Sequence, residues 1–508
     1  MLPTTSELQV AEKQIRAVLQ AHAEWFCAAG GESTFALRRE EINVNILQNR
    51  LLLSCFTEDG SRSWRVLNWH WNEPVLSFLA SSRMGARRSL IELIPRASAR
   101  VIAATIKAAR QIRCEQMAGL ASALEPMSRI ERVALSPGIR RGQPGPYGRI
   151  LLRRKQDRIA VTGSVAHSHP AAVDAFLSSA LLWYERTADR LRPPYITQLW
   201  LLVSEESFNS LDQRLALLRE SLRALIKVFT VDDALTNLES KDCAQRKDLW
   251  KKRLARFPPV PPATISLQMQ QIIAEAPEAI DVVHARHGET LRYFGLPFAR
   301  VRSIMNVERV WFGIRSGHRR LLDEHTFNDW QNLMRDLREH RSPIAPDQRH
   351  AFYRDAAEAW LESLLRHDIT KLDPGLIIAP LHAQFRTARG GKPGVRPIDM
   401  LALRRDGRLV VIELKVSEDR EHVVQGADYW RRVEAHRRRG HIAAAKLFGE
   451  QDIRNESPLV YLVAPTLRVH ASFQTLARCI AADIEIYRFD INEDWRAGVR
   501  VMRRMRVN

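Results

Sequence analysis

The chain has 508 residues, too many for one ordinary hydrophobic core, so its length implies two to four domains. A composition of 45% apolar and 27% charged residues excludes a disordered chain, and no window approaches the roughly 18 consecutive apolar residues of a membrane-spanning helix. Lys and Arg number 77 against 58 Asp and Glu, and the resulting +19 favours polyanionic partners, because phosphates neutralised by a protein release counterions.

Residues 5 to 29 carry apolar side chains at helical spacing (Ile15, Val18, Leu19, Trp25, Phe26) and run into Gly30-Gly31, which predicts one helix with a glycine stop. Strand-like alternation follows, with Asp59-Gly60 as a hairpin turn. The tryptophans of WRVLNWHWNEP (64–74) read as core more readily than as a base-stacking surface. Residues 98 to 124 return to helix. RGQPGPYG reads as a loop and ILLRRKQDRIAVTGSV as a second hairpin. A helix (AAVDAFLSSALLWYERTADRL), a strand (ITQLWLLVS) and a further helix (LDQRLALLRESLRALIKVF) come next, an order that implies an α/β layer.

FPPVPPA at 257–263 is the clearest punctuation in the chain and predicts a linker or strap. Strands are expected in HARHGETLRYFGLPFARV and NVERVWFGI, and a helix over about 324–340. The expected organisation is an N-terminal α+β domain (1–130), an α/β domain (131–256), a Pro-rich connecting region (257–345) and a C-terminal α/β domain (346–508). The five cysteines show no CxxC pair or cluster at ligand spacing, which implies reduced thiols. The opening MLPTTSELQVAEKQIRAVL lacks the apolar run of a signal peptide, so a cytoplasmic protein is expected.

The last region has the order helix, three strands, helix, strand, helix, strand. Its second and third strands, PIDMLALRR and LVVIELKV, are joined across Asp406-Gly407 and contain Asp399, Glu413 and Lys415. Unpaired charge is costly in a strand interior, so these groups must neutralise one another or hold something. Alternation puts Glu413 and Lys415 on one face, and the hairpin brings Asp399 alongside. Two carboxylates at one strand spacing repel unless a cation intervenes, and hard oxygen ligands suit Mg²⁺, with the Leu414 carbonyl as a further donor. A compact ammonium at Lys415 suits stabilisation of negative charge developing on phosphate. The parts point to phosphodiester hydrolysis.

Asp399 followed by Glu413-Leu414-Lys415 resembles the signature of the PD-(D/E)xK nuclease superfamily, with the Pro-Asp pair loosened to Pro397-Ile398-Asp399. Gln425-Gly426-Ala427-Asp428-Tyr429 matches the Gln-x-x-x-Tyr of its RecB-type branch. The resemblance covers about residues 350–490. It implies a restriction-endonuclease-like αβββαβ core with a mixed sheet, preceded here by one or two α/β (α+β) domains.

It further implies a Mg²⁺-dependent deoxyribonuclease in which Mn²⁺ can substitute. Asp399 and Glu413 would hold the metal, Lys415 would act on water or phosphate, and Gln425 and Tyr429 would brace the site. The acidic residue of the family's first helix is assigned to Glu362, with Glu358 one turn earlier as the alternative. DNA is the expected partner, and the N-terminal region is free to bind a protein. On the helix after the third strand, Arg431, Arg432, Arg437 and Arg438 form a basic run that would track a phosphate backbone; a solvated face is the competing reading. Two rival functions are a non-catalytic nucleic-acid-binding module that keeps the nuclease fold, and an interaction protein whose acids simply pair with Lys415 and nearby arginines.

Overall fold

A computed structural model describes residues 5–29, 35–57, 60–72, 75–82, 87–95, 99–138, 144–166, 173–232, 235–251, 254, 256–257, 266–285, 288–304, 307–314, 319–378, 382–385 and 397–508. The protein is a multidomain α/β chain with four sheets, divided between two compact units. Residues 131–256, expected as a single domain, are shared between these units.

The first unit comprises residues 1–172, 191–207 and 227–241. It begins with the helix Thr5–Gln20, shorter than the spacing predicts, because Trp25 and Phe26 lie in the strand Glu24–Ala29. That strand pairs antiparallel with Phe35–Arg38 and Arg87–Pro95. The Trp25 indole donates to the carbonyls of Leu19 (3.3 Å) and His22 (3.1 Å), so sheet packing and a satisfied helix end prevail over helical periodicity here. Seven strands make an antiparallel sheet whose alternate residues, among them Val44, Leu51, Leu53, Trp64, Val66, Leu76 and Phe78, bury one core with Ile15 and Leu19 of the helix. Trp69 and Trp71 pack against the same core, in keeping with a structural rather than a stacking role.

The hairpin predicted at Asp59-Gly60 joins Arg50–Thr57 to Gly60–Asn72, although residues 58 and 59 lie outside the described ones. After the helix Ala99–Leu124 comes a six-stranded sheet, mixed because Arg158–Ser164 pairs antiparallel with Pro144–Arg153 and parallel with Ile196–Val203. Of the loop predicted at RGQPGPYG, residues 141–143 lie outside the described ones and the rest belongs to the strand Pro144–Arg153, which pairs on through Tyr147 and Gly148. The segment expected as one helix over LDQRLALLRESLRALIKVF divides into Glu205–Leu215, a turn at Glu220–Arg223 and the strand Ile226–Val231. Its β-branched and aromatic IKVFTV end favours a strand.

The second unit comprises residues 173–190, 208–226 and 242–508. Most of the proline-rich stretch (258–265) is outside the described residues, but Phe257 stacks on His436 with centroids 4.2 Å apart. A five-stranded antiparallel sheet follows: Ile280–Ala285, Gly288–Tyr293, Leu296–Ile304, Val307–Phe312 and Arg320–Leu321. Helices Leu267–Ala274 and Phe327–His340 cover one of its faces through Met269, Ile272, Trp330, Met334 and Leu337.

The turn after Tyr293 fits tightly against the next helix, Ala357–His367. At Gly295 (φ +77°) a Cβ would stand 2.0 Å from the Ala359 carbonyl oxygen, so only glycine fits. Fully buried Arg341 fastens the same junction. It donates to the carbonyls of Tyr293 (2.8 Å), Phe294 (2.6 Å) and Asp355 (2.8 Å) and lies over the Trp360 ring. Burial pushes its guanidinium down to about 9.

The C-terminal sheet has the order His382–Phe385, Ile398–Leu403, Leu409–Leu414, Leu459–Pro465, Ile486–Ile491, Val501–Arg506. Leu459–Pro465 pairs parallel with both its neighbours, and the other three pairings are antiparallel. The helix Ala357–His367 packs Trp360, Leu361 and Leu365 against Val410, Ile412 and Leu414 on one face. The helix His422–Arg437 packs Tyr429 and Val433 against Leu401, Leu403, Leu409 and Val411 on the other. The basic edge strand Val501–Arg506 has no counterpart among the expected elements, because its charged residues hide the strand pattern. Among the described residues no helix is long and apolar enough to cross a membrane.

Candidate active site

The hairpin turn works as its sequence requires. Gly407 takes a positive φ of 82°, and the register Leu403↔Leu409 through Met400↔Ile412 runs on to place Asp399 opposite Glu413. Strand parity then decides which face the charges occupy. Asp399 shares its face with Leu401 and Leu403, and Glu413 shares its face with Leu409 and Val411. All four apolar neighbours belong to the core under the Gln-x-x-x-Tyr helix, so the acids and Lys415 point to that side.

Asp399 accepts a 2.9 Å hydrogen bond at Oδ2 from the backbone N–H of Leu414, which fixes the carboxyl across the two strands. Lys415 Nζ donates to Glu413 Oε1 at 2.8 Å and stands 3.8 Å from Asp419 Oδ2. Glu413 and Lys415 are both buried. Burial and then the neighbouring Asp399 charge push Glu413 well above the usual carboxylate range, and Lys415 offsets only part of this. Asp399 is also raised by burial, against the pull of the Leu414 N–H and Lys415. Burial disfavours the Lys415 ammonium, but Glu413, Glu358 and Asp399 outweigh it, so the lysine stays charged. Two carboxyls crowded in a buried site, each resisting ionisation, form a donor set that a divalent cation would relieve.

Gln425 is buried and its side-chain amide donates to Glu421 Oε2 at 3.3 Å. Tyr429 is buried one turn later. Burial, and then the charges of Glu413 and Asp399, keep its hydroxyl protonated and so able to donate toward the acids. The helix reaches this position because Gly426 lies directly against the sheet: a Cβ there would come 2.5 Å from Leu462 Cδ2 and 3.1 Å from Val460 Cγ1. Gly426→Ala is expected to destabilise the protein by about 1–2 kcal/mol through overpacking, measured as a lower urea midpoint at unchanged slope.

His422 joins the site without any signal in the sequence. It is buried, and its Nε2 lies 3.3 Å from the Glu413 carbonyl oxygen. Burial and then Lys415 lower it to about 4, so it is a neutral imidazole that donates Nε2–H to that carbonyl and fixes the strand end. No spacing rule marks it; only its position one turn before Gln425 hints at a role.

The first helix divides its two acids. Glu362 is buried and pairs with Arg292 at 3.3 Å, on the side of the five-stranded sheet. Glu358, one turn earlier, is the one whose charge reaches Lys415. Among the described residues no group of three or more His, Cys, Asp or Glu side chains gathers at ligand distances, so the site offers two carboxylates and backbone oxygen. His382 and Gln384 lie on the edge strand His382–Phe385.

Three arginines of the basic run on the Gln-x-x-x-Tyr helix pair with acids on the same helix. Arg431 pairs with Asp428 (2.6 Å), and Arg437 and Arg438 both pair with Glu434 (2.6 Å each). Arg432 is buried over the Tyr429 ring. Spacings of three and four residues to Asp428 and Glu434 account for this, and they are visible in the sequence.

No protein-family model matches the chain, and no curated protein matches it as a relative. Among solved structures, a complex of EndoMS with double-stranded DNA is similar over 46% of this chain and 95% of that one, at 12% identity and a TM-score of 0.16. A likeness that remote decides nothing about the chemistry of this chain.

Proposed function

We propose that the C-terminal domain is a Mg²⁺-dependent nuclease of the PD-(D/E)xK type with a restriction-endonuclease-like core, and that its substrate is DNA. The observation that carries this reading is the placement of Asp399, Glu413 and Lys415 on one face at the end of the central hairpin, with Glu413 and Lys415 buried and Gln425 and Tyr429 on the helix over that face. Ordinary strands do not keep three ionisable groups there without a purpose. Asp399, Glu413 and the Leu414 carbonyl would hold the metal, with Mn²⁺ able to replace Mg²⁺, and Glu358 is better placed than Glu362 to add its charge. A bound Mg²⁺ supplies Lewis acidity toward a phosphodiester.

The chain's own residues do the rest. Lys415 holds a positive charge where negative charge would develop on the phosphorus oxygens. Tyr429 keeps its hydroxyl protonated and available to donate, and His422 and the Leu414 N–H fix the strand ends that carry the acids. The surplus of basic residues favours a polyanionic substrate. The test is incubation of the full chain with linear duplex, circular duplex and single-stranded DNA, in Mg²⁺, Mn²⁺ or EDTA. Metal-dependent cleavage is the expected result; a protein inactive on every substrate in both metals would refute the reading. One observation favours the second reading, a non-catalytic DNA-binding module: Glu362 is held by Arg292, and among the described residues no group of three His, Cys, Asp or Glu side chains gathers at ligand distances. DNA binding without cleavage would favour that module.

A further inference from the structure

The five-stranded sheet has two faces, and the two helices Leu267–Ala274 and Phe327–His340 pack on only one of them. Directly opposed residues of an antiparallel pair share a face. The register sets Thr290 opposite Arg300, Arg300 opposite Trp311, and Arg302 opposite Arg309. The second face therefore carries a block of three arginines and a tryptophan.

These arginines differ from their counterparts in the same unit. Arg214, Arg404, Arg408 and Arg431 each meet a carboxylate. Among the described residues, Arg300, Arg302 and Arg309 form no ion pair, and the Nε atoms of Arg300 and Arg302 are buried with no hydrogen-bond partner. Arg302 is seated on the sheet, since a Cβ at Gly288 would come 2.8 Å from its Cγ. Arg300 and Arg302 are half-buried and Arg309 is exposed. Burial pushes the Arg300 guanidinium down, and the like charge of neighbouring Arg302 adds to it. Such repulsion is relieved by bound anion, and guanidinium groups suit phosphate.

Trp311 identifies the kind of phosphate ligand. It is half-buried on the same face, directly across from Arg300. A free phosphate has no use for an indole, and a duplex keeps its base faces stacked away from one. A single strand offers both a backbone for the arginines and an unstacked base for the ring. We propose that this sheet face binds a single-stranded segment of nucleic acid, with Arg300, Arg302 and Arg309 on its phosphates and Trp311 stacked on a base. The face is also linked to the candidate active site. Arg292 of the same sheet pairs with Glu362, and Glu358 on that helix is the acid whose charge reaches Lys415. That the bound strand is the substrate rests on the nuclease reading; the binding itself does not.

The experiment is fluorescence anisotropy of a labelled oligothymidylate with the full chain in EDTA, across a salt series. Combined Arg300→Gln, Arg302→Gln and Arg309→Gln is expected to weaken binding about tenfold or more and to reduce the log–log salt slope by about 2, given about 0.7 per single-strand phosphate. Arg309→Gln alone, at an exposed position that does not endanger the fold, is expected to reduce the slope by about 0.7. Trp311→Ala is expected to weaken binding by about tenfold, and Trp311→Phe to restore most of it. Unchanged affinity and slope in all these folded variants would overturn the inference. Equal loss for duplex and single strand, with Trp311→Ala neutral, would overturn the single-strand assignment. Binding in EDTA that depends on these residues, followed by no cleavage in Mg²⁺, leaves this inference standing and removes the nuclease reading. Cleavage with no dependence on them does the reverse.

Discussion

Lys415→Met is expected to reduce DNA cleavage by at least about a hundredfold while leaving DNA binding and the melting temperature close to those of the parent. The size follows from losing one charged group aimed at developing negative charge in a water-poor site. Methionine keeps the length of the lysine stem beside the apolar side chains of that face, so the change chiefly removes the charge. The fold should accept it. Glu413 loses its 2.8 Å partner but already resists ionisation through burial and Asp399, so its protonated form takes over rather than an uncompensated anion. Glu413→Gln is the companion variant, expected to lose activity to a similar extent and also to need more Mg²⁺. The measurement is initial cleavage rate against Mg²⁺ concentration, with anisotropy binding in EDTA as control. A Lys415→Met protein that cleaves at the parental rate would remove the lysine from the chemistry and, with it, the main support for a nuclease.

What could be read from the sequence at this site was everything governed by local rules. The Asp406-Gly407 turn fixes the register, the register fixes parity, and parity puts Asp399, Glu413 and Lys415 together. The Gln-x-x-x-Tyr helix could be read for the same reason. The surroundings of Glu358 and Glu362 could not be told apart this way, because they lie one turn apart on one stripe; Glu362 meets Arg292, seventy residues upstream. The arginines 431, 432, 437 and 438 have surroundings that a count of basic residues does not show. Asp428 and Glu434, at helical spacing, pair with Arg431, Arg437 and Arg438, while Arg432 lies over the Tyr429 ring. At the start of the chain, Trp25 and Phe26 fit a helical period and a strand equally well. Only the pairing with Arg87–Pro95, supplied by residues far along the chain, chooses the strand. The arginine block on the five-stranded sheet was hidden because it is assembled across two strands, and neither strand is unusual alone.

The second large effect concerns the charge that holds the Gln-x-x-x-Tyr helix from the side. Asp428 is buried next to Tyr429 and accepts from Arg431 Nε (2.9 Å) and Nη2 (2.6 Å) and from Arg214 Nη2 (3.5 Å). Arg214 also meets Asp174 at 2.5 Å. Burial alone would raise the Asp428 carboxyl, but Arg214, Arg431 and Arg432 outweigh it and hold it well below the usual range. Asp428→Asn leaves three guanidinium groups around one remaining carboxylate, and breaking a buried pair of this kind costs about 3–5 kcal/mol. The sign with pH follows from the depressed value. The contribution of Asp428 is fully present above its unfolded pKa of about 4 and is lost as pH falls from there through the lower folded value. The gap in stability between parent and Asp428→Asn should therefore be widest near neutral pH and should narrow progressively below about pH 4. Urea unfolding of both proteins from pH 7 down to pH 3 measures it. A gap that is small at pH 7, or that widens on acidification, would show that the helix is held by its apolar face against Leu401 and Val411 and not by this ion cluster.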